Sequence, residues 1–268
     1  REHHFWVAND KWVAAAALQV EPDAIEKLIV AQQSDKTYGV LSPIHRSFDS
    51  NRLDEGFSNY LRVRSTPDFI SDFILGGPRK DIYPTTFVNA AVWLVSRDCF
   101  CRVGLFDPIF PHYGEDDDYI DRVHGAGFRV GIVPGALANH ARDNQAEGVD
   151  VKGMADFRSD VNREYVSLLL QFKRLGGSAP RKRLFFFRKM ISSVFHDALM
   201  LDFPQMKKDL RSYGLLLKGL SVMGLFEISN EKMSFERCAD PGVQSILGDE
   251  LVFSLSWCGA AIVSLGVV

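Results

Sequence analysis

The 268-residue sequence has little net charge, few cysteines and no internal repeat or low-complexity tract. Its formal net charge of -3 argues against a surface that binds nucleic acid, so no nucleic-acid partner is expected. The four cysteines (Cys99, Cys101, Cys238 and Cys258) form no Cys-x-x-Cys pair and no metal-ligand spacing. They predict buried or inert thiols in a reducing compartment, which favours a cytoplasmic location.

Long uncharged runs are also scarce. The last 18 residues, 251–268, carry no charge and just reach the length of a transmembrane candidate. Small polar residues and glycines dilute this run, so a buried pair of strands is the favoured prediction (Ser254, Ser256, Gly259, Ser264 and Gly266). Because the chain begins at Arg1 and ends within this run, we expect it to be a fragment of a longer protein.

The first part of the chain shows two strand patterns with a helix between them. Residues 3–10 form a short apolar run, and a second run begins at Tyr38 and is expected to end at Pro43. Pro22 suits the first turn of the intervening helix, which the pattern predicts over residues 21–33. The first strand is expected to be buried, with its polar end, Asn9-Asp10, facing a site.

The same alternation continues after residues 46–84, which are polar and predict a long, mobile excursion from the core. The pattern then predicts a strand over 86–95, a short helix that Gly104 ends, a helix over 116–126 and a strand from Phe128. Strands that alternate with helices predict an α/β fold. Three amphipathic helix patterns follow beyond residue 150.

Four consecutive acidic residues, Glu115 to Asp118, open the predicted helix at 116–126. One or two acids at a helix start bind its free N–H groups and complement its dipole. Four exceed that need, and crowded carboxylates raise the pKa of at least one member, which suits a general base. A solvated helix start, a metal site and a catalytic base are the alternatives. The alternate acids and central glycine of an EF-hand calcium loop are absent.

The segment from Val88 to His140 resembles the family 2 inverting glycosyltransferases of the GT-A fold type, especially their rhamnosyltransferase-like and galactofuranosyltransferase-like members. The shared pattern is a small-residue strand, a helix, Gly-x-Phe-Asp, Glu-Asp-x-Asp at a helix start, a Gly-aromatic-Arg strand, a proline and a terminal histidine. The matching residues are Gly104, Phe106, Asp107, Glu115, Asp116, Asp118, Arg122, Gly127, Phe128, Pro134 and His140. With a weaker match over 5–43, the resemblance covers about half of the chain.

The resemblance implies a GT-A, Rossmann-like mixed sheet flanked by helices, with a C-terminal helical appendage. It also implies transfer of a sugar from a nucleotide-diphospho-sugar to an acceptor hydroxyl, with inversion. Asp116 would then be the general base, and Glu115 its catalytic neighbour. Asp117 and Asp118 would bind acceptor hydroxyls.

Further site residues follow from the same resemblance. Asp10 and His140 would hold Mg²⁺ or Mn²⁺ on the diphosphate. Residue 12 is Trp where the family has a second acid, and the family's N-terminal nucleotide-binding strands are expected to be missing. Trp93 and Asn89, on the predicted strand at 86–95, are candidate substrate contacts, since sugars stack on aromatic rings. A core position for Trp93 is the alternative.

The region from Arg181 to Lys218 carries nine Lys or Arg against three Asp, with phenylalanines between the basic residues. Such a basic amphipathic region lies on an anionic membrane surface, packs against the catalytic domain, or forms the interface of a homo-oligomer. The first alternative predicts peripheral association with the inner face of the membrane.

We therefore predict three regions: a partial GT-A catalytic domain at 1–150, an amphipathic helical region at 151–225, and a segment at 226–268 that could begin a further domain. The predicted function is an inverting, metal-dependent glycosyltransferase that extends a cell-wall or surface polysaccharide on a glycan or lipid-linked acceptor. The alternatives are a non-catalytic GT-A remnant or interaction module, and a metal-dependent nucleotide-sugar hydrolase.

Overall fold

The computed structural model describes residues 18–61, 65–104, 106–107, 109–110, 113–140, 160–219, 251–255 and 261–264. The chain divides into two compact units. The first comprises Arg1–Phe106, Tyr119–Val149 and Glu231–Val268, and the second comprises Asp107–Asp118 and Asp150–Asn230. The strand predicted at 3–10 lies outside the described residues, and the predicted three-region division stays a prediction.

The first unit is built on one mixed sheet. Its strands follow the order β1-β5-β2-β4-β6-β7, and β3 also pairs with β5. Among the described strands, β2 and β5 run parallel, and all other pairs are antiparallel. The strands are β1 (Leu18–Val20), β2 (Tyr38–Ser47), β3 (Tyr83–Thr85), β4 (Trp93–Ser96), β5 (Arg129–His140), β6 (Leu251–Leu255) and β7 (Ala261–Ser264). The helices are α1 (Ala24–Ser34), α2 (Glu55–Tyr60), α3 (Phe69–Ile74), α4 (Arg97–Val103) and α5 (Glu115–Gly125). The part of α5 from Tyr119 onward belongs to this unit.

Side chains of the central strands alternate between two cores, one on each face of the sheet. On one face Leu41 and Leu94 pack with Leu28 of α1. On the other face Val40 and Val95 belong to a larger core that includes residues of α2, α3, α4 and α5. The predicted α/β class, a mixed sheet flanked by helices, is confirmed.

Several predicted element ends are also confirmed. Gly104, at a φ of 81°, ends α4, and Gly127, at a φ of 83°, follows α5. Ile120 and Val123 of α5 are buried. The uncharged C-terminal run contains an antiparallel pair of strands, β6 and β7, which confirms the predicted strand pair.

The prediction that Pro43 ends the second strand is wrong, because β2 continues to Ser47. Pro43 pairs with Val133 of β5, whereas the next residue, Ile44, pairs with Leu137. A residue without an N–H is tolerated at such a register shift, where the hydrogen-bond ladder is already interrupted. The additional residues place His45 near the carboxyl end of β2.

The interpretation of residues 46–84 as a mobile excursion is also wrong. The segment contains α2, α3 and β3, and three of its aromatic side chains (Phe57, Phe69 and Tyr83) are buried in the larger core. These few apolar residues are widely spaced in a polar stretch, so neither periodicity nor composition revealed them. Conversely, the strand predicted over 86–95 is shorter, because β4 begins only at Trp93.

The cysteines differ from the expectation of four inert thiols. Cys99 is free and buried, and burial raises the pKa of its thiol to about 12. Cys101 is disulfide-bonded, so the expectation is wrong at this residue. Spacing along the sequence does not show which cysteines a fold brings together.

The second unit contains α6 (Asp160–Arg174), α7 (Ala179–Leu199) and α8 (203–219), which confirms the three predicted helices. Their shared core includes Leu168 and Leu169 of α6, Phe186 of α7 and Leu216 of α8. Within the described part of the chain, no helix is both long enough and apolar enough to cross a membrane.

Gly39 of β2 offers a test of the packing in the first unit. A Cβ atom at this position would lie 2.7 Å from Sγ of Cys99 and 2.8 Å from Cβ of Phe128. We expect Gly39→Ala to lower the free energy of unfolding by about 2 kcal/mol, as for other overpacked cores. Urea unfolding followed by circular dichroism measures the change.

Gly125, the last residue of α5, is the matched control, because a Cβ atom there meets nothing within 4 Å. Gly125→Ala is expected to raise the free energy of unfolding by about 0.5–1 kcal/mol. Equal effects of the two substitutions would contradict the packing described around Gly39.

Candidate active site

The acidic residues Glu115–Asp118, here called the acidic turn, form the first turn of α5 and belong to the second unit. Tyr113 and Gly114 enter this turn with positive φ angles of 66° and 83°. A Cβ atom at Gly114 would lie 2.5 Å from Cγ1 of Val166 on α6, so the close approach of loop and helix requires glycine. The carbonyl of Gly114 then accepts the N–H of Asp118 at 2.9 Å, which starts the helix.

Lys173 of α6 holds one member of the acidic turn. Its Nζ lies 2.6 Å from Oδ1 of Asp118 and 2.5 Å from Oδ2 of Asp107. The Asp118 side chain is only 3% exposed, so this carboxylate is buried with its cation. Two carboxylates about one ammonium group form a charged network whose parts depend on one another.

The other acids lie in different surroundings. Oδ1 of Asp117 lies 3.6 Å from the Arg174 guanidinium, and the Asp117 side chain is 41% exposed. Asp116 is half-buried, and its Oδ1 accepts the backbone N–H of Asp117 at 2.9 Å. Cations on α6 therefore offset part of the repulsion within the acidic turn.

Glu115 shows the property that the sequence predicted for crowded carboxylates. Burial raises the pKa of its carboxyl group, and the nearby charge of Asp117 adds to the shift. Its Oε2 is buried and meets no hydrogen-bond partner among the described residues. A half-buried carboxyl group with a raised pKa is typical of the groups that take part in general acid–base catalysis.

A second polar group, here called the histidine cluster (His45, Asp54 and His140), lies in the first unit at the carboxyl ends of the parallel strands β2 and β5. His140, the last residue of β5, is in register with Ser47. The turn after β2 is closed by a 2.8 Å bond from Ser47 N–H to Arg52 O, and Asp54 N–H then donates to His45 O at 3.0 Å. Carboxyl ends of parallel strands are where ligands of open α/β sheets commonly bind.

Asp54 has two roles in the histidine cluster. Its Oδ1 accepts the N–H of Phe57 at 2.8 Å and thereby caps α2. Its Oδ2 lies 3.4 Å from Nδ1 of His140. The carboxylate that starts a helix therefore also lies near the imidazole that ends β5, although Nδ1 of His140 makes no hydrogen bond among the described residues.

His45 is fully buried, and its Nε2 lies 3.1 Å from Oγ of Ser42. Burial, followed by the neighbouring His140, lowers the pKa of His45 to about 4, so its imidazole is neutral at neutral pH. Asn89, from the segment before β4, lies beside this ring. The histidine cluster thus includes one predicted ligand, His140, and touches one predicted substrate contact, Asn89, through His45.

The remaining predicted residues have other positions. Trp93 is fully buried, with its ring 5.9 Å from that of Phe106 and 5.7 Å from that of Tyr119. This is the core position that the sequence left open as an alternative, and a role in substrate contact stays a prediction. Asp10 lies outside the described residues.

Sequence reasoning missed His45 and Asp54. Both were overlooked because the second strand was expected to end at Pro43 and residues 46–84 were interpreted as an excursion. The Asp54-Glu55 pair before Phe57 is a helix-start pattern that could have indicated α2. No sequence signal indicated the partnership of Asp54 with His140.

The described part of the chain does not form a metal centre by itself. Within those residues, no group of three or more His, Cys, Asp or Glu side chains is placed to hold a metal ion. His140 offers a single imidazole, and the other predicted ligand, Asp10, is not among them.

No protein-family model matches the chain, and no curated protein matches its sequence. Among solved structures, GalNAc-T7 with UDP, GalNAc and Mn²⁺ is similar over 62% of this chain and 35% of its own length. The TM-score is 0.38 and the sequence identity is 16%. The matched region thus spans about a third of that protein, and a similarity this low supports no conclusion about function.

Lys173 provides the first prediction for the acidic turn. Lys173→Met removes the cation and leaves Asp107 and Asp118 facing each other in a buried position. We expect the free energy of unfolding to fall by about 3–5 kcal/mol, because breaking a buried ion pair leaves an uncompensated charge. Denaturant unfolding measures this loss.

Arg163→Met on the same helix is the matched control. Arg163 pairs with Asp160 at 2.6 Å, but both side chains are more than two-thirds exposed. Such a surface pair contributes about 0–1 kcal/mol, so a small loss is expected. A loss at Lys173→Met no larger than the loss at Arg163→Met would contradict the buried network.

Glu115 provides a pH-dependent prediction. The pKa of Glu115 in the folded state lies above its value in the unfolded state. At a pH between these two pKa values the folded state binds more protons than the unfolded state, so stability falls as the pH rises through that interval. We therefore expect Glu115→Gln to increase the free energy of unfolding at pH 7 and to lose this advantage in acid. Unfolding curves from pH 4 to pH 8 measure the difference.

Glu55→Gln is the control for Glu115→Gln, because Glu55 is also the first residue of a helix but is exposed. It loses only a favourable dipole interaction of about 0.3–1 kcal/mol, so stability should fall slightly at pH 7. A stabilised Glu55→Gln, or a Glu115→Gln that is destabilised at pH 7, would show that burial is not the dominant influence on Glu115.

Proposed function

We propose that the chain is a glycosyltransferase of GT-A type that moves a sugar from a nucleotide-diphospho-sugar to a hydroxyl group of a glycan or lipid-linked acceptor, with inversion. The observation that carries the proposal is the acidic turn. Lys173 fixes Asp118 in a buried ion pair, while Glu115 has a raised pKa and Asp116 stays half-buried beside it. Helix capping without a catalytic role uses one or two acids and leaves their pKa values low.

In the proposed reaction the carboxylate of Asp116 accepts the proton of the acceptor hydroxyl as its oxygen attacks the anomeric carbon of the donor. The new glycosidic bond forms while the bond from that carbon to the diphosphate oxygen breaks, and the nucleoside diphosphate leaves. Attack from the face opposite the leaving group inverts the configuration. Glu115, whose carboxyl group is partly buried, would tune the basicity of Asp116.

The donor side of the proposal rests on the resemblance. Mg²⁺ or Mn²⁺ would neutralise the leaving diphosphate, with Asp10 and His140 as its protein ligands. The 3.4 Å contact of Asp54 with Nδ1 of His140 supports a ring held in one orientation. A cell-wall or polysaccharide product is part of the proposal. The cytoplasmic location stays a prediction, and the disulfide at Cys101 does not favour it.

Two other functions use the same residues differently. In a nucleotide-sugar hydrolase the Asp116 carboxylate would activate water in place of a sugar hydroxyl. In a non-catalytic remnant or interaction module the acidic turn would serve only to join α5 to α6. The raised pKa of Glu115 favours an enzyme over the remnant, because a purely structural turn gains nothing from a buried, ionisable carboxyl group.

The test begins with calorimetric titration of the chain with UDP and with dTDP, each with and without Mn²⁺. Product analysis with a nucleotide-sugar, with and without acceptor, follows. We expect Asp116→Asn to keep nucleotide binding and to lose transfer by about 10²–10⁴-fold, the range of general-base catalysis. His140→Ala is expected to lose the metal-dependent part of nucleotide binding.

Asp121→Asn, an exposed acid on the same helix, is the matched control and should retain both binding and transfer. Release of free sugar without acceptor would support the hydrolase. Absence of nucleotide binding in the wild-type chain would overturn the proposal for this chain. Transfer that survives in Asp116→Asn would overturn the assigned base.

A further inference from the structure

Helix α7 presents an uncovered row of large apolar side chains. Leu184, Phe187, Ile191, Phe195 and Leu199 follow one another at intervals of three or four residues, so they lie along one side of the helix. Each is between 47% and 66% exposed. We call this row the apolar stripe. The opposite side of α7, with Phe186 and Asp197, is buried.

The apolar surface continues beyond the end of α7. Two residues after α7, Met200 and Leu201, are 67% and 72% exposed, and the first residue of α8, Phe203, is 58% exposed. Single exposed apolar residues are ordinary, but a continuous apolar surface of this extent marks a binding surface for a protein or a membrane. The question is therefore what covers it.

The charge beside the apolar stripe is almost entirely positive. Arg181, Arg183 and Arg188 of α7 are exposed, and so are Lys207 and Arg211 of α8. The region 181–218 also contains three acids, but Asp197 and Asp209 are buried, and only Asp202 is exposed. The structure thus removes most of the negative charge from this surface.

The flank of the stripe offers polar groups of the same sign. A shallow, open depression along α7 is lined by Phe185, Arg188, Lys189, Ser192, Ser193 and His196. Within this depression Lys189 Nζ donates to Oε1 of Gln171 at 2.6 Å, and Oγ of Ser193 donates to Oδ2 of Asp209. Arg188 and Ser192 beside the Phe185 ring suit a phosphate group next to hydrocarbon. This combination of groups is that of a lipid headgroup region.

We propose that α7 lies on the surface of an anionic lipid bilayer, with the apolar stripe among the acyl chains and Arg181 and Arg188 at lipid phosphates. The positive charge of this surface favours an anionic bilayer over a second copy of the chain as its binding partner. A two-fold contact through the stripe would bring together two helices that both carry exposed arginines, and these like charges repel each other. An anionic bilayer attracts every one of them.

This proposal goes beyond sugar transfer and does not depend on it. The test therefore uses no nucleotide and no acceptor, so its outcome is independent of the proposed enzymatic activity.

The experiment is co-sedimentation of the full chain with vesicles of phosphatidylcholine alone and of phosphatidylcholine with about one-third phosphatidylglycerol. We expect binding to the anionic vesicles at least about tenfold tighter than to the neutral ones, and weaker in high salt. Phe195→Asp is expected to reduce binding to anionic vesicles by about tenfold or more, since it puts a charge in the apolar stripe. Arg188→Glu, which keeps the stripe, is expected to reduce binding to the anionic vesicles selectively.

Ile74→Asp is the matched control, because Ile74 of α3 is 77% exposed and lies in the first unit. It should bind vesicles like the wild type, and circular dichroism should show all variants folded. Absence of binding to anionic vesicles, or equal binding by Phe195→Asp, Arg188→Glu and Ile74→Asp, would overturn the proposal. Sedimentation velocity adds a further outcome: a dimer that Phe195→Asp dissociates, with vesicle binding unchanged, would assign the stripe to self-association and overturn the membrane proposal.

Discussion

The acidic turn depends on its ion pairs with Lys173. Four carboxylates in one helical turn repel one another, and the helix dipole returns only about 0.3–1 kcal/mol for each favourable acid. Burying Asp118 without a cation would cost several times that amount. The ammonium group within 2.6 Å of both Asp107 and Asp118 removes this cost, so the loop, the start of α5 and α6 form one electrostatic assembly.

The same ion pair explains why the four acids differ. Asp118 and, more loosely, Asp117 are paired with cations of α6, whereas Glu115 is half-buried and its Oε2 meets no hydrogen-bond partner among the described residues. Burial raises the pKa of the Glu115 carboxyl group, and the nearby charge of Asp117 adds to the shift. One turn thus contains both ion-paired acids and an acid whose pKa is raised by burial.

Sequence patterns predicted the elements whose apolar residues recur at short intervals. The helix predicted over 116–126 and the strand predicted from Phe128 correspond to α5 and β5, because local periodicity is visible in a window of one helix or strand. The partnerships of Lys173 with Asp118 and of Asp54 with His140 join distant parts of the chain. No local pattern contains them, and the register shift after Pro43 that carries β2 onward is equally invisible in composition.

Net charge was a poor guide to the surfaces of this chain. The total of -3 averages over regions of opposite sign. Of the three acids within residues 181–218, Asp197 and Asp209 are buried, while Arg181, Arg183 and Arg188 of α7 are exposed. Because fields from exposed charges decay over about 8 Å in physiological salt, a partner responds to the charges of the local surface and not to the net charge of the chain. A near-neutral chain can therefore present a strongly cationic, apolar face, and its preference for anionic surfaces must be judged from the exposed residues of α7 and α8.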